Sequence, residues 1–434
     1  MDKMADVLGR AGAWCGQNKY LSAIKNAFQN FMPLTIAGAI GVLWCNVLVN
    51  DQTGLGLFFK PIMALDFLNP AFQAVNFCTI SCITVGITLG IAQEIGVWNM
   101  GAERAGYIPG LVGLAAWLSV TNTSHMVDGA KEAFTGIAGN ELGATGLFTG
   151  MIIGVLSVEL FCFFEKQDAL KIKMPEQVPP GVARAFEVLV PATITLIITA
   201  CIGSACYNLT GLYLNDVIKN GIQGPLGAVG ATIPGVMIIY LVIMLFWLVG
   251  IHGNNMLSAV KEALFTPLAL ENVEKFNKGE KPTNIINMYA LQMWGEFGGS
   301  GVTIGLVIAI MIFGKREDNK AIATLSLVPG LFNINETVTF GIPMVLNPIL
   351  GIPFVVAPLI TIIIGYVLTV IGFCPVACLT VPWTTPPLVF GFLATGANIM
   401  GAVTQAILIV VSTVIYVPFL ISYEKYQNKQ AAEA

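Results

Sequence analysis

Between Lys320 and Glu424 the chain carries one charged side chain, Glu336. A carboxylate inside an apolar run of that length costs roughly 2.5–3.5 kcal/mol on membrane insertion, so it faces a partner or a wet cavity rather than lipid. The backbone around it is also unsuited to a smooth helix. Pro329 and Gly330 precede the segment Phe332, Asn333, Ile334, Asn335, Glu336, Thr337, and Gly341, Pro343 and Pro348 follow it. Interrupted backbone at membrane depth is tolerated only where protein buries it or a cavity wets it. The pattern predicts a re-entrant hairpin whose polar tip presents Asn333, Asn335 and Glu336.

Of the 434 residues, 56% are hydrophobic and 11% are charged, against about 25% charged in soluble domains. The expected fold class is therefore an all-α polytopic membrane protein. A bilayer crossing takes about 20 mainly apolar residues. Runs of that kind lie at 31–48, 71–92, 107–120, 146–164, 188–205, 231–251, 301–313, 353–372, 381–395 and 401–420. They predict about ten transmembrane helices. The stretches 285–299 and 322–342 are interrupted by Gly, Pro, Asn or Glu and read as two re-entrant hairpins. Residues 1–30 lack the continuous apolar core of a signal peptide and read as an amphipathic N-terminal region at the interface.

Basic residues in short loops orient such a chain. Lys3, Arg10, Lys19 and Lys25 place the N-terminus in the cytoplasm, and Lys425 and Lys429 do the same for the C-terminus. The charged loop around 165–187 divides the chain. Residues 31–185 are expected to be a scaffold and dimerisation half, and residues 186–434 the substrate-binding and transport half. Glu94, Glu103 and Arg104 read as a solvated turn. The net charge of −4 comes with no basic stripe, which gives nucleic-acid binding no support. Of the nine cysteines, the i, i+4 pairs Cys78/Cys82 and Cys374/Cys378 have no His or carboxylate nearby, and the cysteines read as packing residues, not metal ligands.

The second half holds the unusual polar clusters. His252 follows an apolar span and is followed by Gly253, Asn254 and Asn255, which signal unwound backbone with side-chain donors. Glu296 is the one charge between Lys281 and Lys315 and sits among Gly295, Gly298, Gly299 and Gly301. Trp247 and Trp383 lie beside the breaks. Carboxylates and amides can accept from and donate to several hydroxyls, and flat rings offer a face to sugar C–H groups. The set suits a carbohydrate, and it appoints no basic residue for an anionic ligand. Glu296 and Glu336 could also carry a proton or Na⁺. A glutamate beside a histidine could orient a hydroxyl for phosphoryl transfer. No P-loop or kinase motif is present, so the phosphoryl donor would be another subunit, and no resident cofactor is expected.

The Phe332–Pro348 segment resembles the Asn-Ile-Asn-Glu-Pro signature of enzyme IIC, the membrane subunit of the bacterial sugar phosphotransferase system. His252, Gly253 and Asn254 after an apolar span, and the Gly-rich Glu296 segment, are similar to its lactose/cellobiose/diacetylchitobiose branch. Whole-chain similarity pulls toward the diacetylchitobiose/cellobiose end. One departure is Thr337, where many members carry Pro. The resemblance implies a homodimer in the bacterial inner membrane that imports a β-linked disaccharide, N,N'-diacetylchitobiose above cellobiose or lactose. An elevator-like movement would carry the sugar inward. A separate enzyme IIB would donate phosphate from a phosphocysteine to the C6 hydroxyl. Glu336 and His252 match the positions that would hold this hydroxyl. Asn254, Asn255, Glu296, Asn333 and Asn335 would bind other groups, with Gly253 in the unwound backbone and Trp247 and Trp383 stacking. The rival reading is a cation-coupled secondary transporter of a small polar solute, with Glu336 as the ion carrier.

Overall fold

A computed structural model of the chain describes residues 10, 13–14, 17–51, 55–125, 134–175, 177–342 and 344–433. Much of the expected amphipathic stretch, residues 1–9, 11–12 and 15–16, lies outside them, as does Cys15. The protein is all-α. Among the described residues the one sheet is a two-residue hairpin, Ser124–His125 against Phe134–Thr135.

Five described helices are long and apolar enough to cross a bilayer: Lys19–Leu48, Ala144–Glu165, Pro180–Thr210, Gly351–Val370 and Ile399–Glu433. Two helix pairs qualify together but bend at a break, by 42° between Lys60–Ser81 and Ile83–Met100 and by 59° between Met288–Val302 and Ile304–Phe313. Ile108–Val120 and Ile233–Leu248 are shorter apolar helices. Prolines inside several of them, such as Pro191 and Pro358, fit a membrane setting, where neighbouring groups satisfy the freed backbone.

The chain divides into two compact units. One comprises Gln17–Gly38 and Asn76–Ala228. Its helices Ile83–Met100, Ile108–Val120 and Ala144–Glu165 approach closely because small residues line the crossings. A Cβ on Gly113 would stand 2.3 Å from that of Ala92, and one on Gly150 2.2 Å from Thr88 Oγ1. In lipid, such close packing is a main source of helix association. At one end the buried Glu165 is paired with Arg104 at 2.8 Å and Arg184 at 3.0 Å, and both arginines also reach Glu187. Arg104 remains half-exposed, as the expected solvated turn has it, and also joins this ion network.

The other unit comprises Ala39–Val75 and Val229–Ala434, together with Met1–Gly16. Tyr240, Trp247, Trp294, Phe297, Phe354 and Tyr416 fill its core. Gly365 lets Met288–Gly295 lie flat on Gly351–Val370, since a Cβ there would stand 2.4 Å from Trp294 Cδ1.

Three interruptions of this unit matter for function. The first follows Met288–Gly295, where Gly298, Gly299 and Gly301 all have positive φ. The second lies between helices Glu317–Leu331 and Glu336–Gly341, with Asn333 at φ +63°. The third runs from Ile371 to Leu388, and helix resumes only at Val389–Ala394. The expected span at 381–395 is thus mostly irregular. Pro382, Pro386 and Pro387 lack N–H groups and cannot continue a helical ladder.

Candidate functional site

A cavity of about 340 Å³ opens between these interruptions and the turn at His252, within the ~300–1,000 Å³ typical of small-molecule sites. His252 reaches it because helix Ile233–Leu248 ends in a turn with Gly250 at φ +81°. His252 then caps the short helix Gly253–Met256, its Nδ1 accepting from the Asn255 N–H at 3.2 Å. With Nδ1 an acceptor, the neutral ring carries its proton on Nε2. Nε2 faces Glu336 Oε1 at 3.9 Å. That gap is too long for a hydrogen bond and leaves room for a hydroxyl to accept from one group and donate to the other. Trp247 packs its ring against His252 with centroids 4.4 Å apart.

A second polar group lies on the same wall. Tyr240 donates its hydroxyl proton to Glu296 Oε1 at 2.7 Å. Lys261 forms an ion pair with the same oxygen and donates to Asn254 Oδ1 at 3.3 Å. Asn254 Nδ2 in turn donates to Ser300 Oγ at 2.9 Å. Lys261 is only 6% exposed and its charge is committed to Glu296, so the site contains a basic residue that was not nominated from the sequence, held by a carboxylate rather than free for an anionic ligand. The cation is matched to a carboxylate, which is how a buried charge is tolerated. The sequence signal was the lone Glu296 itself, since a buried carboxylate requires a counter-ion. Its partner, however, stands 35 positions earlier, on helix Ser258–Asn277.

The two asparagines of the Glu336 segment hold the breaks together. The Gly298 N–H donates to Asn333 Oδ1 at 2.6 Å, and Asn333 Nδ2 donates to the carbonyls of Trp383 and Thr385. Asn335 Nδ2 donates to the Ser300 carbonyl at 2.7 Å. Gly299, at φ +88°, allows this approach: a Cβ there would stand 2.6 Å from Asn335 Cγ. Gln405 closes the third break, accepting from the Leu388 and Gly391 N–H groups and donating to the Met293 carbonyl.

All of the residues nominated from the sequence line the cavity except Trp247 and Gly253. Trp247 is 2% exposed and sits behind His252. A Cβ on Gly253 would stand 2.0 Å from the Ile243 carbonyl oxygen, so this glycine serves helix packing. Trp383 is 44% exposed and turns toward the cavity. Lys261, Gln292 and Gln405 line it without having been nominated.

The family model of the phosphotransferase system EIIC matches residues 25–358. The oligo-beta-mannoside-specific EIIC component of Bacillus subtilis (strain 168) is 32% identical, with 98% of this chain and 94% of the relative covered. The cellobiose-specific EIIC component of Lactococcus lactis subsp. lactis (strain IL1403) is 30% identical, with 98% of each covered. The crystal structure of the transporter ChbC, the IIC component from the N,N'-diacetylchitobiose-specific phosphotransferase system, superposes with a TM-score of 0.88 at 30% identity and 97% coverage of both chains. The chain belongs to the EIIC family of phosphotransferase-system membrane subunits. It is a sugar transporter of the bacterial membrane, of the cellobiose, lactose and chitobiose group.

Proposed function

We propose that this chain imports a β-linked disaccharide, first among them N,N'-diacetylchitobiose, and presents its C6 hydroxyl to a phosphocysteine on a separate enzyme IIB. The observation that carries this reading is the 3.9 Å opening between His252 Nε2 and Glu336 Oε1 on the wall of the cavity. In the proposed step the hydroxyl oxygen accepts from His252 Nε2–H and donates to Glu336. Its oxygen attacks phosphorus, the S–P bond of the phosphocysteine breaks, the thiolate leaves, and the hydroxyl proton passes to Glu336. Phosphoryl transfer of this kind relies on positioning and charge more than on covalent work by the protein.

Diacetylchitobiose is supported by the ChbC superposition over nearly the whole of both chains. Cellobiose is the second reading, favoured by the cellobiose-specific relative. The remaining parts of the proposal are a homodimer formed through residues 31–185, an elevator-like movement of the sugar-binding half, and termini in the cytoplasm.

The test uses purified protein in detergent with labelled diacetylchitobiose and cellobiose as competitor, for wild type, Glu336→Gln and His252→Ala. Saturable binding that weakens in both variants, with cellobiose competing poorly, is the expected result. Strong competition by cellobiose moves the substrate and keeps the mechanism. Absence of any sugar binding, with uptake abolished by an ionophore, overturns the proposal in favour of ion-coupled transport.

A further inference from the structure

We propose that Gln292 and Glu296 form a donor–acceptor fork that reads the neighbouring C2 and C3 substituents of one sugar ring and sets a preference for gluco over manno configuration. The inference deepens the sugar-site reading above and rests on it. Gln292 and Glu296 are four positions apart at the end of helix Met288–Gly295, where the Glu296 N–H still donates to the Gln292 carbonyl at 3.3 Å. Side chains at this spacing lie one turn apart on one face, and both line the cavity.

Their polar groups differ in availability. Glu296 Oε1 is occupied by the Tyr240 hydroxyl and by Lys261, which leaves Oε2 as an acceptor whose direction is set from behind. The Gln292 amide has no hydrogen-bond partner among the described residues. Of the other amides on these walls, Asn254, Asn333, Asn335 and Gln405 are committed to joining the broken segments, while Asn255 uses its backbone groups on the turn at His252 and Ser258 and, unlike Gln292, is not on the helix that carries Glu296 to the cavity. The fork therefore offers one fixed acceptor beside one free amide.

Two vicinal substituents on the edge of a pyranose ring match that arrangement. The C2 substituent accepts from Gln292 Nε2, through the hydroxyl oxygen of a glucose unit or the acetamido carbonyl of an N-acetylglucosamine unit, and the C3 hydroxyl donates to Glu296 Oε2. Inverting C2 turns its substituent from equatorial to axial and points it out of the plane of the fork. The Gln292 amide is then left without its acceptor. Discrimination is strongest where the wrong ligand leaves a buried polar group unpaired. Lys261 and Tyr240 act through Glu296 as positioning residues.

The experiment is equilibrium competition on the purified chain, displacing labelled diacetylchitobiose with cellobiose or with β-1,4-mannobiose, which differ only in configuration at C2. Wild type, Gln292→Met, which keeps the shape, and Gln292→Glu, which removes the donor, are compared, with melting in detergent followed alongside. The expected result is a wild-type preference for cellobiose that falls about tenfold in both variants, the loss of one hydrogen bond to a group then left unpaired. Cellobiose itself also weakens. An unchanged cellobiose-to-mannobiose ratio in variants that still bind the label overturns the fork and leaves the sugar site standing. A wild-type preference for mannobiose also overturns the fork. Failure of the wild type to bind any disaccharide overturns the sugar-site reading and the fork with it.

Discussion

His252 and Glu336 face each other across 3.9 Å, and the far nitrogen of the same imidazole caps the helix turn at Asn255. One ring therefore does two jobs that substitution can separate. Asn at position 252 keeps a good cap but withdraws the donor from Glu336. Gln reaches toward the Nε2 position and gives up the cap. His252→Asn is expected to melt near wild type while phosphorylation by enzyme IIB falls by ~10²-fold or more, the scale of a lost positioned acid–base partner. His252→Gln is expected to keep more activity than Asn and to melt lower. The reverse ranking in both assays would count against the tautomer read from the cap.

Lys261 and Glu296 are expected to be strongly coupled. Lys261→Met leaves a carboxylate with no cation on a largely buried wall, which costs about 3–5 kcal/mol in comparable buried pairs. Lys261→Met combined with Glu296→Gln removes both charges and is expected to recover most of the stability without recovering sugar affinity. The check is a double-mutant cycle on melting in detergent, run beside a binding assay. Additive losses would show that the ion pair contributes nothing to the fold.

Asn333 can be tested without disturbing its backbone, because Asp also tolerates positive φ. Asn333→Asp replaces the one amide nitrogen that donates to both carbonyls, those of Trp383 and Thr385, by a carboxylate oxygen that can donate to neither. A loss of roughly 1–3 kcal/mol in stability is expected from the carbonyls left unpaired. Sugar binding should fall with it, because Trp383 is held at the cavity by this bond. An Asn333→Asp protein with wild-type affinity would show that Asn333 does not position the site.

Gly365 gives a test remote from the cavity. Its Cβ would stand 2.4 Å from Trp294 Cδ1, so Gly365→Ala must displace the helix that carries Gln292 and Glu296. Overpacking of this kind costs about 1–3 kcal/mol. The expected result is a lower melting temperature together with weaker disaccharide binding, measured by fluorescence-detected melting and by competition. Unaltered binding would separate the position of this helix from recognition.

The polar residues that stand alone were legible from the chain itself. Glu336, Glu296 and His252 could be singled out because an isolated polar or titratable group in an apolar run needs a reason to be there, and that reasoning needs no partner to be known. The all-α membrane fold and the backbone breaks followed from the same local physics: run length, glycine freedom, and proline's missing N–H. The partnerships were not legible. Nothing near Lys261 in the chain points to Glu296, and nothing near Asn333 shows that its amide is committed to Gly298, Trp383 and Thr385. Trp247 and Trp383 read alike as rings that stack on a sugar, yet one lies behind His252 and the other turns to the cavity.

The sequence by itself determined that the chain is an all-α membrane protein, that its backbone breaks beside Glu296 and Glu336, and which charges must be accounted for, since each depends on local composition and on the cost of an isolated charge in an apolar medium. Tertiary structure alone decided which polar groups remain free to meet a ligand. Hydrogen-bond capacity is finite, and whether an amide or carboxylate has any left depends on residues that only the fold brings within about 3 Å.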